Sequence, residues 1–375
     1  MRSFSSIACA LPLLASLATA APAVLKGFEK RDPAAVPDGG VDARPNASAP
    51  IYHTDSDFDF QSLNLALNQE WIELDLFRYG VERFSEEEFA AAGIDAEDIS
   101  LINFMADQEV GHATLLTNIL SSNGRTPAKQ CTYQYDFETV RDFVNFCQRL
   151  TRWGESGVYG FLPHLDSRPS AQLLLQSITT EARQQMIFRQ FSGAHPMPVY
   201  FETGISQSMA WSLLQPYLAT CPAENPRIEW QIYPNLNVVN ETSLLVDGYN
   251  AAITHNRTSL TSPGQQIHFT WDAPGQNTSW NSSYSTSIGG NVTDTTPKYV
   301  AWVSQLNTTY TEFNSTGNYS GYTYQPDGVV FDNTSDGVVN GTMFVGLTDS
   351  NPYVTPYNLS LLNDVIIAWG EYQAN

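Results

Sequence analysis

Three glutamates stand where side chains of their type are costly. Glu70, Glu109 and Glu181 each interrupt an apolar stripe that recurs at steps of three and four residues. A buried carboxylate without a partner is expensive, so such groups end up paired, protonated or bound to metal. Glu109-Val110-Gly111-His112 is an E-x-x-H, which sets a carboxylate and an imidazole one helical turn apart on the same face. Glu155 shares a helical face with Cys147, Thr151 and Val158. The order is thus Glu, E-x-x-H, Glu, Glu, one group per helical segment. Dinuclear carboxylate bundles draw a Glu from each of two helices and an E-x-x-H from each of the other two. Oxygen-rich sets with imidazole suit iron or manganese. The candidate ligands are Glu70, Glu109, His112, Glu155, Glu181 and Gln184, and the candidate cofactor is a dinuclear Fe or Mn centre. Glu73, off the strict stripe, ranks behind Glu70.

One departure weighs against an intact centre. The fourth segment reads Glu181-Ala182-Arg183-Gln184, so the place of a second histidine holds an amide, whose carbonyl oxygen is the weaker ligand. Arg152 and Arg183 lie close in sequence to Glu155 and Glu181. The competing reading is therefore a scaffold in which a carboxylate–Arg–Gln network has replaced the metal.

The helices that must carry these groups run over about residues 58–84, 95–120, 137–161 and 170–192. Their spacing near 3.5 residues turns one seam of each into a bundle core. Leu65-Ala66-Leu67-Asn68-Gln69-Glu70-Trp71-Ile72-Glu73-Leu74, Phe104-Met105-Ala106-Asp107-Gln108-Glu109-Val110-Gly111-His112 and Thr151-Arg152-Trp153-Gly154-Glu155-Ser156-Gly157-Val158-Tyr159-Gly160 resemble the fungal secreted ferritin-like stress-response proteins, the rds family. The resemblance covers most of the chain beyond residue 57. With the strand pattern beyond residue 235, the expected fold is a multidomain α + β protein: an N-terminal ferritin-like four-helix bundle, then a C-terminal all-β, sandwich-like domain. The resemblance also implies a place at the cell surface or in the medium, linked to stress. Any catalysis would be oxygen activation or ferroxidase-type oxidation. The rival is a non-catalytic cell-surface or polysaccharide-binding glycoprotein.

Residues 193–235 are Pro-rich and read as a connection. Beyond them, short β-branched and aromatic runs at 267–271, 299–303, 341–345 and 365–369 alternate with Gly, Asn, Asp and Pro clusters, the pattern of strands and turns. The expected division is 57–235 for the bundle and 236–375 for the β part. Trp271, Trp280, Trp302, Tyr319, Tyr322 and Tyr324 form either a sandwich core or a sugar-stacking platform.

With 39 acidic against 18 basic residues, the net charge is −21, which excludes nucleic-acid binding driven by phosphate neutralisation. Arg2, the apolar stretch from Ile7 to Leu17 and Ala18-Thr19-Ala20 make residues 1–20 a secretory signal peptide, and Lys30-Arg31 a candidate processing site within the segment 21–56. No later apolar run is long enough to span a bilayer. Of twelve Asn-x-Ser/Thr sequons, eleven lie between Asn240 and Asn358, which makes N-linked glycans expected partners. Cell-wall polysaccharide is a further candidate partner. With Cys9 in the signal, Cys131, Cys147 and Cys221 remain, and the Pro-flanked Cys131 and Cys221 are the expected disulfide. There is no H-E-x-x-H, no G-x-S-x-G and no Gly-rich phosphate loop, so zinc proteases, lipases and nucleotide enzymes drop away. His53, His164, His195, His255 and His268 lack ligand spacing. The protein is expected in culture medium and to lose mass on endoglycosidase treatment in an electrophoretic assay; its absence from the medium contradicts secretion, and an unchanged mass contradicts N-glycosylation.

Overall fold

The computed structural model describes residues 51–241, 243–245, 251, 257–278 and 284–374. The segment 1–20 expected to be a signal peptide, Lys30-Arg31, His255, Trp280 and the sequon asparagines Asn46, Asn256 and Asn281 lie outside them. Four long helices form the bundle: α1 (Asp57–Arg83), α3 (Ala96–Ser121), α4 (Val140–Phe161) and α5 (Arg168–Phe191), with a short α2 (Glu86–Ala91) between the first two. A sixth helix, α6 (Gln207–Leu214), occupies the stretch expected to be only a connection.

Side chains set the helix starts. Ser56 accepts from Asp59 N at the head of α1, while Asp95 and Thr139 make capping boxes with Asp98 and Asp142 at the heads of α3 and α4. Each such cap stabilises its helix by about 1 kcal/mol. Ser167 gives α5 no side-chain cap. Instead the buried Asp59 carboxylate of α1 accepts from Asp166 N (2.9 Å) and Ser167 N (3.1 Å). That ties the starts of the first and last of the four long helices together.

Helix α4 is held close by glycines. A Cβ on Gly154 would meet Gln69 Cγ at 2.5 Å, and one on Gly160 would meet the Ile205 carbonyl oxygen at 1.7 Å. The loop before α6 lies directly on the helix, with Ile205 N donating to Ser156 O at 2.9 Å. Cys131 and Cys221 are disulfide-bonded, as expected. The bridge sits beside the antiparallel pair β1 (Thr132–Tyr133) and β2 (Leu218–Thr220), and Cys147 is a buried free thiol.

Among the described residues the β part forms two four-stranded antiparallel sheets. One has the order β10 (Ile366–Gln373), β9 (Thr342–Thr348), β5 (Tyr299–Ser304), β6 (Asn307–Glu312). The other runs β3 (Leu236–Val238), β4 (Gln266–Trp271), β8 (Ser320–Tyr324), β7 (Asn314–Ser315). Ile267, Phe269 and Trp271 of the second sheet pack against Val300, Trp302, Val345 and Tyr372 of the first. Alternate residues of the first sheet, Ala301, Val303, Phe344, Ile366 and Trp369, join the core of the bundle instead. Strands β9 and β10 are therefore buried on both faces, which is why they read as continuous apolar runs rather than alternating ones. The hydrophobic core does not stop at residue 235. Trp271 and Trp302 are core residues, whereas Tyr319 and Tyr324 are half exposed. Among the described residues no helix is long and apolar enough to cross a membrane.

Gly111 on α3 offers open space at the same Cβ position, so two helical glycines should respond oppositely. Gly160→Ala is expected to destabilise by about 3 kcal/mol through overpacking, while Gly111→Ala is expected to stabilise by about 1 kcal/mol through helix propensity. Urea unfolding of the two variants checks this; equal shifts contradict the packing described.

Candidate metal centre

Helices α1, α3 and α5 bring four of the expected residues together. Ligand atoms of Glu70, Glu109, His112 and Glu181 all lie within 4.8 Å of one another. His112 Nδ1 is 3.1 Å from Glu109 Oε2, 3.2 Å from Glu70 Oε2 and 3.8 Å from Glu181 Oε1. The three carboxylates are buried, at 3%, 0% and 2% exposure.

The other ring nitrogen fixes how the imidazole is used. Nε2 lies 3.1 Å from Thr180 Oγ1, and that hydroxyl donates its only proton to Ser177 O at 2.7 Å. Thr180 therefore accepts from Nε2–H. Nδ1 then faces the three carboxylates and shares its proton with them; once that proton leaves, its lone pair is presented as a metal-ligating imidazole's is by its outer partner.

Two expected ligands are placed differently. Gln184 turns its amide nitrogen, not its oxygen, toward the cluster: Nε2 donates to Glu109 Oε1 at 2.5 Å and to Gln108 Oε1 at 3.3 Å. A carboxylate is a far better acceptor than an amide oxygen, so an amide beside Glu109 presents N–H. Glu155 lies outside the converging four. Its Oε2 is 3.0 Å from Arg152 Nη1, its Oε1 accepts from Tyr159 Oη at 3.0 Å, and Arg152 also pairs with Glu202. The guanidinium lends its charge to a carboxylate that a second metal position would otherwise use. Glu73, ranked behind Glu70, is fully buried, and Gln69 Nε2 bridges its Oε1 (2.8 Å) and Leu150 O (2.9 Å). The interior stripe of α1 is wide enough to bury positions three apart. Thr180 and Glu202 carry no signal of their own in the sequence; only the fold sets them beside His112 and Arg152.

Burial pushes the Glu70 carboxyl up to about 8, against the pull of His112. Burial, then Glu109 and Glu70, hold Glu73 well above the carboxylate range, and burial with Glu70, Glu73 and Glu109 does the same to Glu181. Burial opposes the imidazolium, yet Glu70 and Glu109 override it and push His112 to about 12. The residues fit a divalent cation. Among the described residues Glu73 Oε2 is buried without a hydrogen-bond partner and Glu70 Oε2 has only the His112 ring nitrogen beside it, and three carboxylates with one imidazole are the hard-to-borderline donors that iron and manganese take.

A ferritin-like domain family model matches residues 58–194, the stretch that holds all four converging residues. The chain is also similar to Protein rds1 of Schizosaccharomyces pombe (strain 972 / ATCC 24843), at 51% identity over 346 residues, 88% of this chain and 84% of that one. It is a ferritin-like protein. Within that class it belongs to the rds family.

The metal-free protein should lose stability as pH rises. Folded Glu70 keeps its proton up to about 8 while the unfolded carboxyl releases it near 4.5. Stability is thus full below 4.5 and falls across that window. His112, raised from 6.5 to about 12, acts with the same sign from 6.5 upward. Urea midpoints measured in chelator are expected to fall through this range, and less steeply in Glu70→Gln; a rise contradicts the burial described.

Proposed function

We propose that this is a secreted, N-glycosylated, ferritin-like protein of the fungal cell surface or medium, with a stress-related role. In this reading its bundle holds one iron or manganese ion. The convergence of Glu70, Glu109, His112 and Glu181 within 4.8 Å carries it. Such an ion supplies one-electron redox chemistry. The chain's own residues supply a dry, negatively charged seat, a lone pair directed by Thr180, and a Gln184 N–H that steadies Glu109. One ion replaces the dinuclear expectation, because Arg152 engages Glu155 and Gln184 presents N–H. Iron storage in a large shell does not suit a bundle joined to a sequon-rich β part.

A second reading draws on the same Arg152–Glu155–Glu202 network: a non-catalytic glycoprotein of the cell wall whose bundle is a scaffold. Partners in either reading are its own glycans and the hydroxyl-rich polymers of the wall. Metal analysis of protein purified from its native host separates the two. About one iron or manganese per chain is expected, lost in Glu109→Gln and weakened about 10-fold or more in Thr180→Val, which removes the acceptor for Nε2–H. No metal after reconstitution with Fe(II) overturns the first reading.

A further inference from the structure

A cleft of about 620 Å³ opens where α4, the turn after α6 and strands β3 and β10 meet. None of its lining residues belongs to the metal cluster. Amide side chains dominate its polar lining: Gln134, Gln215, Asn235, Asn237, Gln276 and Asn277. Among the described residues three carboxylates, Glu241, Asp272 and Glu371, join one cation, Arg149. Arg149 is paired with Glu371, and Trp153 Nε1 also donates to that carboxylate. Tyr217, half-buried, stacks on Trp153 with centroids 5.7 Å apart and planes 30° off parallel. Gln215 is 3% exposed, and its buried Oε1 has no partner among the described residues.

Each property narrows the ligand. Two carboxylates beyond the Arg149–Glu371 pair repel phosphates and acidic sugars. A lining so rich in amides wastes their hydrogen bonds on a lipid, because an unpaired buried polar group is costly. Among the described residues no histidine or cysteine lines the cleft, so these supply no soft metal donor. What remains is a molecule with donors and acceptors on its edge and an apolar face to lay on an aromatic ring. We propose that this cleft binds a short neutral oligosaccharide, with Tyr217 as the stacking plate and Gln215, Asn237 and Gln276 as hydroxyl partners. The inference rests on the extracellular reading above only for where the sugar comes from; the site stands on its own geometry. It also relocates sugar recognition from the aromatic residues of the outer sheet to the seam between helices and strands.

The test uses full-length Asn277→Gln protein in chelator, so that neither a glycan on this lining residue nor the metal centre bears on the result. Laminaritetraose, chitotetraose and mannotetraose are titrated by calorimetry beside spermidine and tetragalacturonate. At least one neutral tetramer is expected to bind. Tyr217→Ala and the more conservative Asn237→Ala are each expected to weaken it about 10-fold, the scale of losing one well-made contact. Tyr324→Ala, on the outer sheet, is expected to leave it unchanged. Binding of no neutral tetramer, binding insensitive to both cleft variants, or tighter binding of either charged probe overturns the proposal. Metal loss with sugar binding intact, or the reverse, shows which of the two readings has failed.

Discussion

Four carboxylates, Glu70, Glu73, Glu109 and Glu181, sit in the interior of one helical bundle with a single imidazole among them. Crowding of acidic groups at one interior point is the constraint the rest of the bundle accommodates. Without a cation the protein responds by holding protons on Glu70, Glu73 and Glu181 and on His112. With one, the same oxygens become ligands. Thr180, Gln184 and Gln69 have a common purpose in either state: each fixes one atom of the cluster with a hydrogen bond that burial makes strong.

Helix α4 is the member through which the cluster, the sandwich and the cleft share one framework. Its glycines let Gln69 and the backbone before α6 approach closely. Gln69 in turn bonds both Glu73 and Leu150 O of α4, so the same close approach steadies the edge of the carboxylate cluster. On another face α4 presents Arg149 and Trp153 to Glu371 of β10. The sheet that contains β10 is covered by helices on one side and by the second sheet on the other. Burying Phe344 and Trp369, stacked 5.8 Å apart, between sheet and bundle stabilises that joint by about 2 kcal/mol per side chain.

Local pattern made much of this legible. The four long helices lie within a few residues of where their apolar spacing puts them, and the E-x-x-H identifies the helix that supplies both Glu109 and His112. The runs at 267–271, 299–303, 341–345 and 365–369 correspond to β4, β5, β9 and β10 because those strands bury apolar side chains. Strands β6, β7 and β8 are rich in Asn, Ser and Thr, so they carry no such signal. Helix α6 hides in a Pro-rich stretch. The ligand set was the least legible part. Whether Glu155 faces the cluster depends on Glu202, which pairs with Arg152 from a loop 50 residues away. Whether position 184 serves as a ligand depends on which end of an amide Glu109 attracts. Spacing along one helix does not encode either.

The central claim is that the Glu70–Glu109–His112–Glu181 cluster is a cation seat rather than a proton-sharing network. Anomalous diffraction from crystals soaked in Fe(II) or Mn(II), collected on both sides of the metal edge, tests it most directly. The account predicts one peak per chain, bonded to His112 Nδ1 and to oxygens of those three glutamates. No peak in the bundle, or a peak that lies instead at Glu155, would contradict it.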